Sequence, residues 1–190
     1  MKDKLNATFG SDKLEHKENI TYPQIHVIDL TRRTKGKKAM EIYDTKPEGI
    51  DTLLMENQGV NISATFFKPQ CFMYETGKEP DNCEGVFYPT DSTDKTWLLF
   101  LEIKDCNRTN ISQYFRKAKK QIVQIVQIFR EKNVIAQNKD VYANISFPRE
   151  KARFYNQLIK PGESKGFFDK YKIRIRGTNH LKIKNTTIIH

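Results

Sequence analysis

The chain has 190 residues, and its 33 lysine and arginine residues against 23 aspartate and glutamate residues give a formal net charge of +10. Hydrophobic residues make up 37% of the chain, enough for a packed core, and no apolar run approaches the roughly 18 residues of a membrane span. The sequence therefore predicts a globular protein without a transmembrane helix, and its basic surplus favours a polyanionic partner, first of all nucleic acid.

The first residues of the chain and its three cysteines lead to expectations about domain bounds, metal sites and compartment. The first 20 residues are polar and lack the apolar core of a signal peptide, so we expect 1–20 to be flexible and 21–190 to form one domain. Cys71, Cys83 and Cys106 are odd in number and lack C-x-x-C spacing, which argues against a zinc site or a disulfide framework. Reduced thiols in a cytoplasmic protein are the expectation.

Residues 21–76 have the composition of β-structure. The stretches "IHVIDL" and "AMEIYDT" predict strands on either side of the basic turn "TRRTKGKK", and "ISATFFK" predicts another strand. The stretch "IDTLLMEN" fits a strand or a short helix, because its periodicity does not separate the two. We expect two to four antiparallel strands in this part of the chain.

The middle of the chain predicts a hairpin followed by a βαβ unit. The stretches "CEGVFYP" and "TWLLFLEIKDC" flank the turn-forming "TDSTDK", which is typical of a hairpin. Apolar residues then recur at helical spacing from Ile111 to Lys132, and "VYANISF" predicts a further strand. A helix between two strands of one sheet makes them a parallel pair.

The end of the chain predicts a helix from about Arg149 to Ile159 and then a β-ribbon, "YKIRIR" and "LKIKNTTII" around the turn "GTNH". Alternation gives this ribbon one basic face, which fits either a phosphate-binding surface or the wet face of a sheet. The expected fold class is α/β (α+β), with a mixed central β-sheet flanked by helices and with extra β-hairpins at the N-terminal and C-terminal ends.

The long strand carries two charges near its carboxyl end. Alternation places Glu102 and Lys104 on one face of a strand whose faces are both apolar, and a hairpin turn centred near Thr93 places Glu84 opposite Glu102. Two carboxylates so close repel each other unless a cation lies between them, and oxygen ligands suit Mg²⁺ or Mn²⁺. The alternative is a cross-strand ion pair with no catalytic meaning.

In this pattern the chain resembles the PD-(D/E)xK, or restriction-endonuclease-like, nuclease superfamily. The resemblance covers residues 80–150 through "CEGVFYP", "LEIK", "KAKKQIVQ" and "VYANISFP". It implies a nuclease acting on DNA, Mg²⁺ or Mn²⁺ held by Glu84 and Glu102, and Lys104 as the catalytic lysine. A helix glutamine common in that family is matched by Gln121, for which the alternative is a solvated helix residue. The resemblance also implies a homodimer for cutting both strands.

Two departures from the family pattern leave alternatives open. The hairpin carboxylate is usually Asp, so Asp81 competes with Glu84 as metal ligand, and a further acidic residue usual near the N-terminus is matched only by Glu56. The alternative function is an inactive nuclease fold that binds nucleic acid or a protein partner. The candidate nucleic-acid-binding residues are Lys172, Arg174, Arg176, Lys182, Lys184, Arg116, Lys117 and Lys120.

Overall fold

Two mixed β-sheets and three α-helices form the fold in a computed structural model that describes residues 1–30, 40–74, 77–80, 82–104, 106, 108–150, 161–187 and 189. Along these residues the helices are α1 (Lys2–Phe9), α2 (Ile111–Glu131) and α3 (Pro161–Tyr171). The strands are β1 (Leu14–Ile20), β2 (Gln24–Asp29), β3 (Met40–Tyr43), β4 (Leu53–Asn57), β5 (Ile62–Phe67), β6 (Gly85–Pro89), β7 (Leu99–Ile103), β8 (Val141–Ser146), β9 (Ile173–Gly177) and β10 (His180–Ile183). The predicted mixed α and β class is confirmed.

The larger sheet contains the predicted hairpin and βαβ unit. Its strand order is β1-β5-β6-β7-β8-β9, with β5, β6 and β7 antiparallel and β7, β8 and β9 parallel. Helix α2 connects β7 to β8, as a parallel neighbour requires. The hairpin register pairs Gly85 with Leu101, so its centre lies at Thr93 and Glu84 falls opposite Glu102, as predicted.

Strand β7 is buried on both faces and divides the molecule into two cores. On one face, Leu98 and Phe100 pack with the apolar stripe of α2 and with α1. On the other face, Leu99 and Leu101 pack against the smaller sheet, whose order is β10-β4-β2-β3. Among the described residues the helices therefore cover one face of the larger sheet, and a second sheet covers the other.

The first 20 residues are not the flexible segment that the sequence predicted. Leu5 and Phe9 of α1 are buried in the helix-side core, where the Phe9 ring lies 5.1 Å from the Phe72 ring. Strand β1 then pairs with β5 at the edge of the larger sheet. Its polar composition was misleading because an edge strand with solvent on one side needs few apolar residues.

The predicted C-terminal hairpin is also wrong, because its two strands belong to different sheets. Strand β9 pairs in parallel with β8, whereas β10 pairs in parallel with β4. Side-chain amides hold the crossing between them: Asn144 exchanges hydrogen bonds with Thr178, and Asn179 binds the backbone of Phe147 at 2.7 and 2.9 Å. These long-range bonds replace the turn that "GTNH" was expected to form.

Local patterns left one further element open and missed another, and two predicted elements lie outside the described residues. The ambiguous "IDTLLMEN" is the strand β4, with alternating burial. Helix α3 was missed because Pro161, Gly162 and Gly166 give it a poor helical composition, although proline is well suited to a first turn. The basic turn "TRRTKGKK" and most of the helix predicted from Arg149 to Ile159 fall outside the described ranges.

We expect Leu5→Ala to lower the free energy of unfolding by about 2–5 kcal/mol, the usual cost of a cavity at a buried leucine. Lys4→Ala, at an exposed position of the same helix, is the matched control and should change stability by less than about 0.5 kcal/mol. Urea denaturation measures both variants. Equal stability of Leu5→Ala and wild type would show that α1 does not contribute to the core.

Candidate active site

Two glutamates meet where the hairpin strands leave the sheet. Glu102 lies in β7, and Glu84 immediately precedes β6 on the partner strand. The backbone N–H of Glu84 donates to Glu102 Oε2 at 3.2 Å, and the backbone N–H of Ile103 donates to Glu84 Oε2 at 3.2 Å. Each carboxylate therefore has one oxygen fixed by a backbone amide of the opposite strand, which leaves the two Oε1 atoms for another partner.

That partner is Lys104, which follows β7 on the same face. Its Nζ lies 2.7 Å from Glu102 Oε1 and 3.6 Å from Glu84 Oε1, so one ammonium serves two carboxylates. The contact with Glu102 Oε1 is a short ion pair, with the ammonium at hydrogen-bonding distance from this buried oxygen. The predicted convergence of Glu84, Glu102 and Lys104 is present.

The electrostatics of the three groups follow from burial. Burial raises the pKa of Glu84 well above its usual range, and the charge of Glu102 raises it further, while Lys104 opposes both. Burial likewise raises the pKa of Glu102 against the opposing charge of Lys104. Burial alone would lower the pKa of Lys104, but the charges of Glu102 and Glu84 outweigh it, so the ammonium is held charged.

The three groups have little exposure to solvent. The side chain of Glu102 is 0% exposed, that of Glu84 is 11% exposed, and that of Lys104 is 24% exposed. Solvent therefore reaches the cluster past Lys104. A phosphate approaching in this conformation would meet the ammonium before either carboxylate.

Gln121 is a buried neighbour of the cluster and not a solvated helix residue. It lies on the sheet-facing side of α2, and its Nε2 donates to the backbone oxygen of Asn82 at 2.6 Å. Its buried Oε1 has no hydrogen-bond donor within the described part of the chain. Gln121 thus holds the segment that leads into Glu84. The competing ligand Asp81 is outside the described residues.

The sequence missed Asp29 and wrongly suggested Glu56. Asp29 ends β2 in the smaller sheet, and its charge contributes to the raised pKa values of Glu84 and Glu102 after the larger effects. Its signal was a charge closing an apolar strand, but only the stacking of the two sheets brings that end near β7. Glu56 instead pairs with His180 and Lys182 on β10, so it is not part of this site.

A cavity of about 220 Å³ lies at the same end of β7. Ile103, Asp29, Asp51 and the exposed Arg149 contribute to its lining. The cavity borders the residue whose backbone holds Glu84, although Glu84, Glu102 and Lys104 do not line it. Both negative and positive side chains are therefore gathered at this end of the sheet.

The C-terminal basic residues do not form one ribbon surface. On β9, Arg174 pairs with Asp140 at 2.9 Å and its guanidinium lies 4.3 Å from the centre of the Phe168 ring. Lys182 pairs with Glu56 at 3.2 Å on the smaller sheet. The other three basic candidates are also divided between the two sheets. Lys172 immediately precedes β9, Arg176 lies in β9, and the exposed Lys184 follows β10.

The basic residues of α2 share one exposed side of that helix. Arg116, Lys117 and Lys120 are all exposed, and their spacing of one to four residues keeps them on neighbouring helical positions. Of the two predicted groups of nucleic-acid-binding residues, this one therefore presents its charges together.

Comparisons with protein-family models, with curated proteins and with solved structures found no match to this chain. The resemblance to PD-(D/E)xK nucleases therefore stays a prediction carried by the residues quoted above. None of the helices in the described residues is long and apolar enough to cross a membrane.

The carboxylate pair fits a divalent cation in part. The two Oε1 atoms are hard oxygen donors, and in the described part of the chain both contact the Lys104 ammonium and neither accepts from a backbone amide. Within the described ranges, however, no group of three or more His, Cys, Asp or Glu side chains is arranged to hold a metal ion. A cation here would suit Mg²⁺ or Mn²⁺, which commonly take one or two carboxylates and complete their shell with water and phosphate.

We expect Glu84→Gln to stabilise the protein at pH 8 and to lose this advantage as the pH falls towards the ordinary glutamate pKa. Because the pKa of Glu84 is raised in the folded state, stability is lost as the pH rises through that value, and a neutral amide avoids the loss. Lys104 keeps Glu102 as its partner in the variant. Thermal unfolding at pH 8, 6.5 and 4.5 measures the effect.

Glu48→Gln, at an exposed position, is the control for that experiment and should follow wild type at each pH. Glu84→Gln that is less stable than wild type at pH 8 would show that the pair with Lys104 outweighs the cost of burial.

Proposed function

We propose that this protein is a metal-dependent nuclease that hydrolyses phosphodiester bonds in DNA. The observation that carries the proposal is the convergence of Glu84, Glu102 and Lys104 where β7 ends, with both Oε1 atoms directed at one cation. The order of hairpin, strand, helix and strand around this cluster supports the same function. The net charge of +10 supports a polyanionic substrate.

In this proposal Glu84 and Glu102 would hold Mg²⁺ or Mn²⁺. The cation would supply charge stabilisation for the phosphoryl group. The backbone amides of Glu84 and Ile103 fix the two carboxylates through Oε2, so the pair is positioned before a cation binds. Lys104 orients the attacking water or stabilises the charge that builds on the phosphate. Gln121 positions Glu84 through the backbone of Asn82.

Access to the carboxylates depends on Lys104. Its side chain covers both Oε1 atoms and is the most exposed of the three. The lysine stem is flexible, so a phosphate at the surface attracts the ammonium outward and uncovers the two oxygens. A cation held by Glu84 and Glu102 would then supply the positive charge that Lys104 provides in the closed arrangement.

A second candidate is the inactive binding module, and the burial of the cluster favours it. Glu102 is 0% exposed, and the Lys104 ammonium already contacts both carboxylates that would hold a divalent cation. Removing one partner of a buried ion pair leaves an uncompensated charge and is strongly destabilising, so such a pair can serve the fold without serving catalysis. In that case the basic surface alone acts on nucleic acid or on a protein partner.

We expect wild-type protein to nick supercoiled plasmid DNA with Mg²⁺ or Mn²⁺ and to be inactive in EDTA. Glu102→Gln and Lys104→Met should each lower the rate by at least about 100-fold, because each loses several kcal/mol of transition-state stabilisation. Plasmid relaxation on agarose gels gives the rates. Lys4→Ala, which removes an exposed cation on α1, is the control and should keep its activity.

Circular dichroism of each variant separates loss of activity from loss of fold. Glu84→Gln provides a second ligand variant, since it is expected to fold at least as well as wild type at pH 8. Folded wild type that binds DNA but cleaves none with either metal would favour the binding module.

We expect Mn²⁺ to raise the Tm of the wild-type protein at pH 8, since a ligand at 100 times its dissociation constant stabilises by about 2.7 kcal/mol. Glu102→Gln should abolish the rise because it removes a ligand, and Lys104→Met should keep or enlarge it because the competing ammonium is gone. Differential scanning fluorimetry measures each variant against its own metal-free form. A rise in Lys104→Met without one in wild type would support the closed ion pair of the second candidate.

A further inference from the structure

A groove of about 560 Å³ runs between α2 and α3 on the outer side of the helix layer, and we name it the α2–α3 groove. The carboxylate cluster does not line this groove and lies near Gln121, on the buried side of α2. Six of its lining side chains share two chemistries, aromatic rings and positive charges: Tyr74, Phe167, Tyr171, Arg116, Lys119 and Lys120.

The aromatic side chains of the groove present flat apolar surface. Tyr74 is 43% exposed, which is unusual for a residue of its size, and Met73 beside it is equally exposed. Gln124 Nε2 donates to the Tyr74 hydroxyl at 3.0 Å and so fixes the ring against α2. The Phe167 and Tyr171 rings lie 5.0 Å apart on α3 and are only partly buried.

The charges of the groove are predominantly positive. Its lining contains three cations against one carboxylate, Glu131. Lys119 is engaged by Glu163 at 2.7 Å, whereas Arg116 and Lys120 are exposed and have no ion-pair partner among the described residues. An anionic ligand would therefore find two available cations next to exposed rings.

One class of polyanion matches both chemistries. A nucleic-acid duplex offers phosphates but keeps its base faces stacked inside, so it cannot use exposed rings. A single strand offers phosphates and unstacked bases, and proteins bind it by pairing cationic grooves with aromatic side chains on which the bases stack. An acidic peptide would use the cations but would leave the rings without flat partners.

We propose that the α2–α3 groove binds single-stranded nucleic acid, with bases stacking on Tyr74 and phosphates paired with Arg116 and Lys120. Binding in the groove does not depend on nuclease activity. That single strands are also the substrate class of the nuclease rests on the proposed function. Lys120 and Gln124 flank Gln121 along α2, and Gln121 holds the segment before Glu84. The groove and the candidate active site thus share one helix.

The experiment measures the fluorescence anisotropy of a labelled oligothymidylate of 12 nucleotides and of a duplex of equal length, in EDTA so that no hydrolysis occurs. We expect the single strand to bind more tightly than the duplex. Tyr74→Ala should weaken single-strand binding about 5- to 150-fold, the range for losing one stacked base, and Tyr74→Phe should retain it. Tyr74 is exposed enough for both variants to fold.

The cations are tested with a matched pair of double variants over a salt series. Arg116→Ala with Lys120→Ala should reduce the slope of log affinity against log salt by about 1.4, or about 0.7 for each phosphate contact on a single strand. Lys4→Ala with Lys46→Ala removes the same charge at two exposed positions outside the groove and should leave the slope unchanged.

Several results would overturn the proposal. They are equal effects of the two double variants, tighter binding of the duplex, unchanged binding by Tyr74→Ala, and preference for an acidic aromatic peptide over the oligonucleotide. Binding is measured without metal, so Glu102→Gln should bind the single strand as wild type does even though it is expected to lose nuclease activity. Cleavage by wild type without binding in the groove would refute this inference and leave the nuclease function standing.

Discussion

The burial of β7 on both faces is the constraint on which the rest of the structure depends. Its alternate side chains supply apolar surface to the helix layer on one side and to the smaller sheet on the other. Charges are tolerated in such a strand only where it ends and where each is paired. Glu102 and Lys104 occupy that end, and the hairpin register supplies Glu84 as their neighbour.

The resulting cluster holds two carboxylates and one ammonium with little contact to water. Burial and mutual repulsion raise the pKa of Glu84, so ionising this cluster costs folding free energy. A divalent cation would offset that cost, which connects the electrostatics of the cluster with the proposed metal-dependent function. Structural ion pairs shift pKa values as well, so metal binding distinguishes the nuclease from the binding module better than electrostatics does.

Short-range patterns in the sequence were sufficient for the centre of the fold. The turn residues between "CEGVFYP" and "TWLLFLEIKDC" set the hairpin register, and the helical spacing after Ile111 set α2. They were insufficient at both ends, since β1 and α1 are polar elements stabilised by partners far along the chain. The glycines of α3 and the asparagine-held crossing after β9 likewise gave no local signal of their structure.

The sequence by itself determined that Glu84, Glu102 and Lys104 would meet, because strand alternation and hairpin register are local geometry. Only the tertiary structure decided how deeply they lie, since burial depends on α2 and on the loop before β6. It also placed Asp29 near the cluster and separated Arg174 from Lys182, because the stacking of two sheets is a long-range choice. The groove between α2 and α3 belongs with these, as its two walls come from distant parts of the chain.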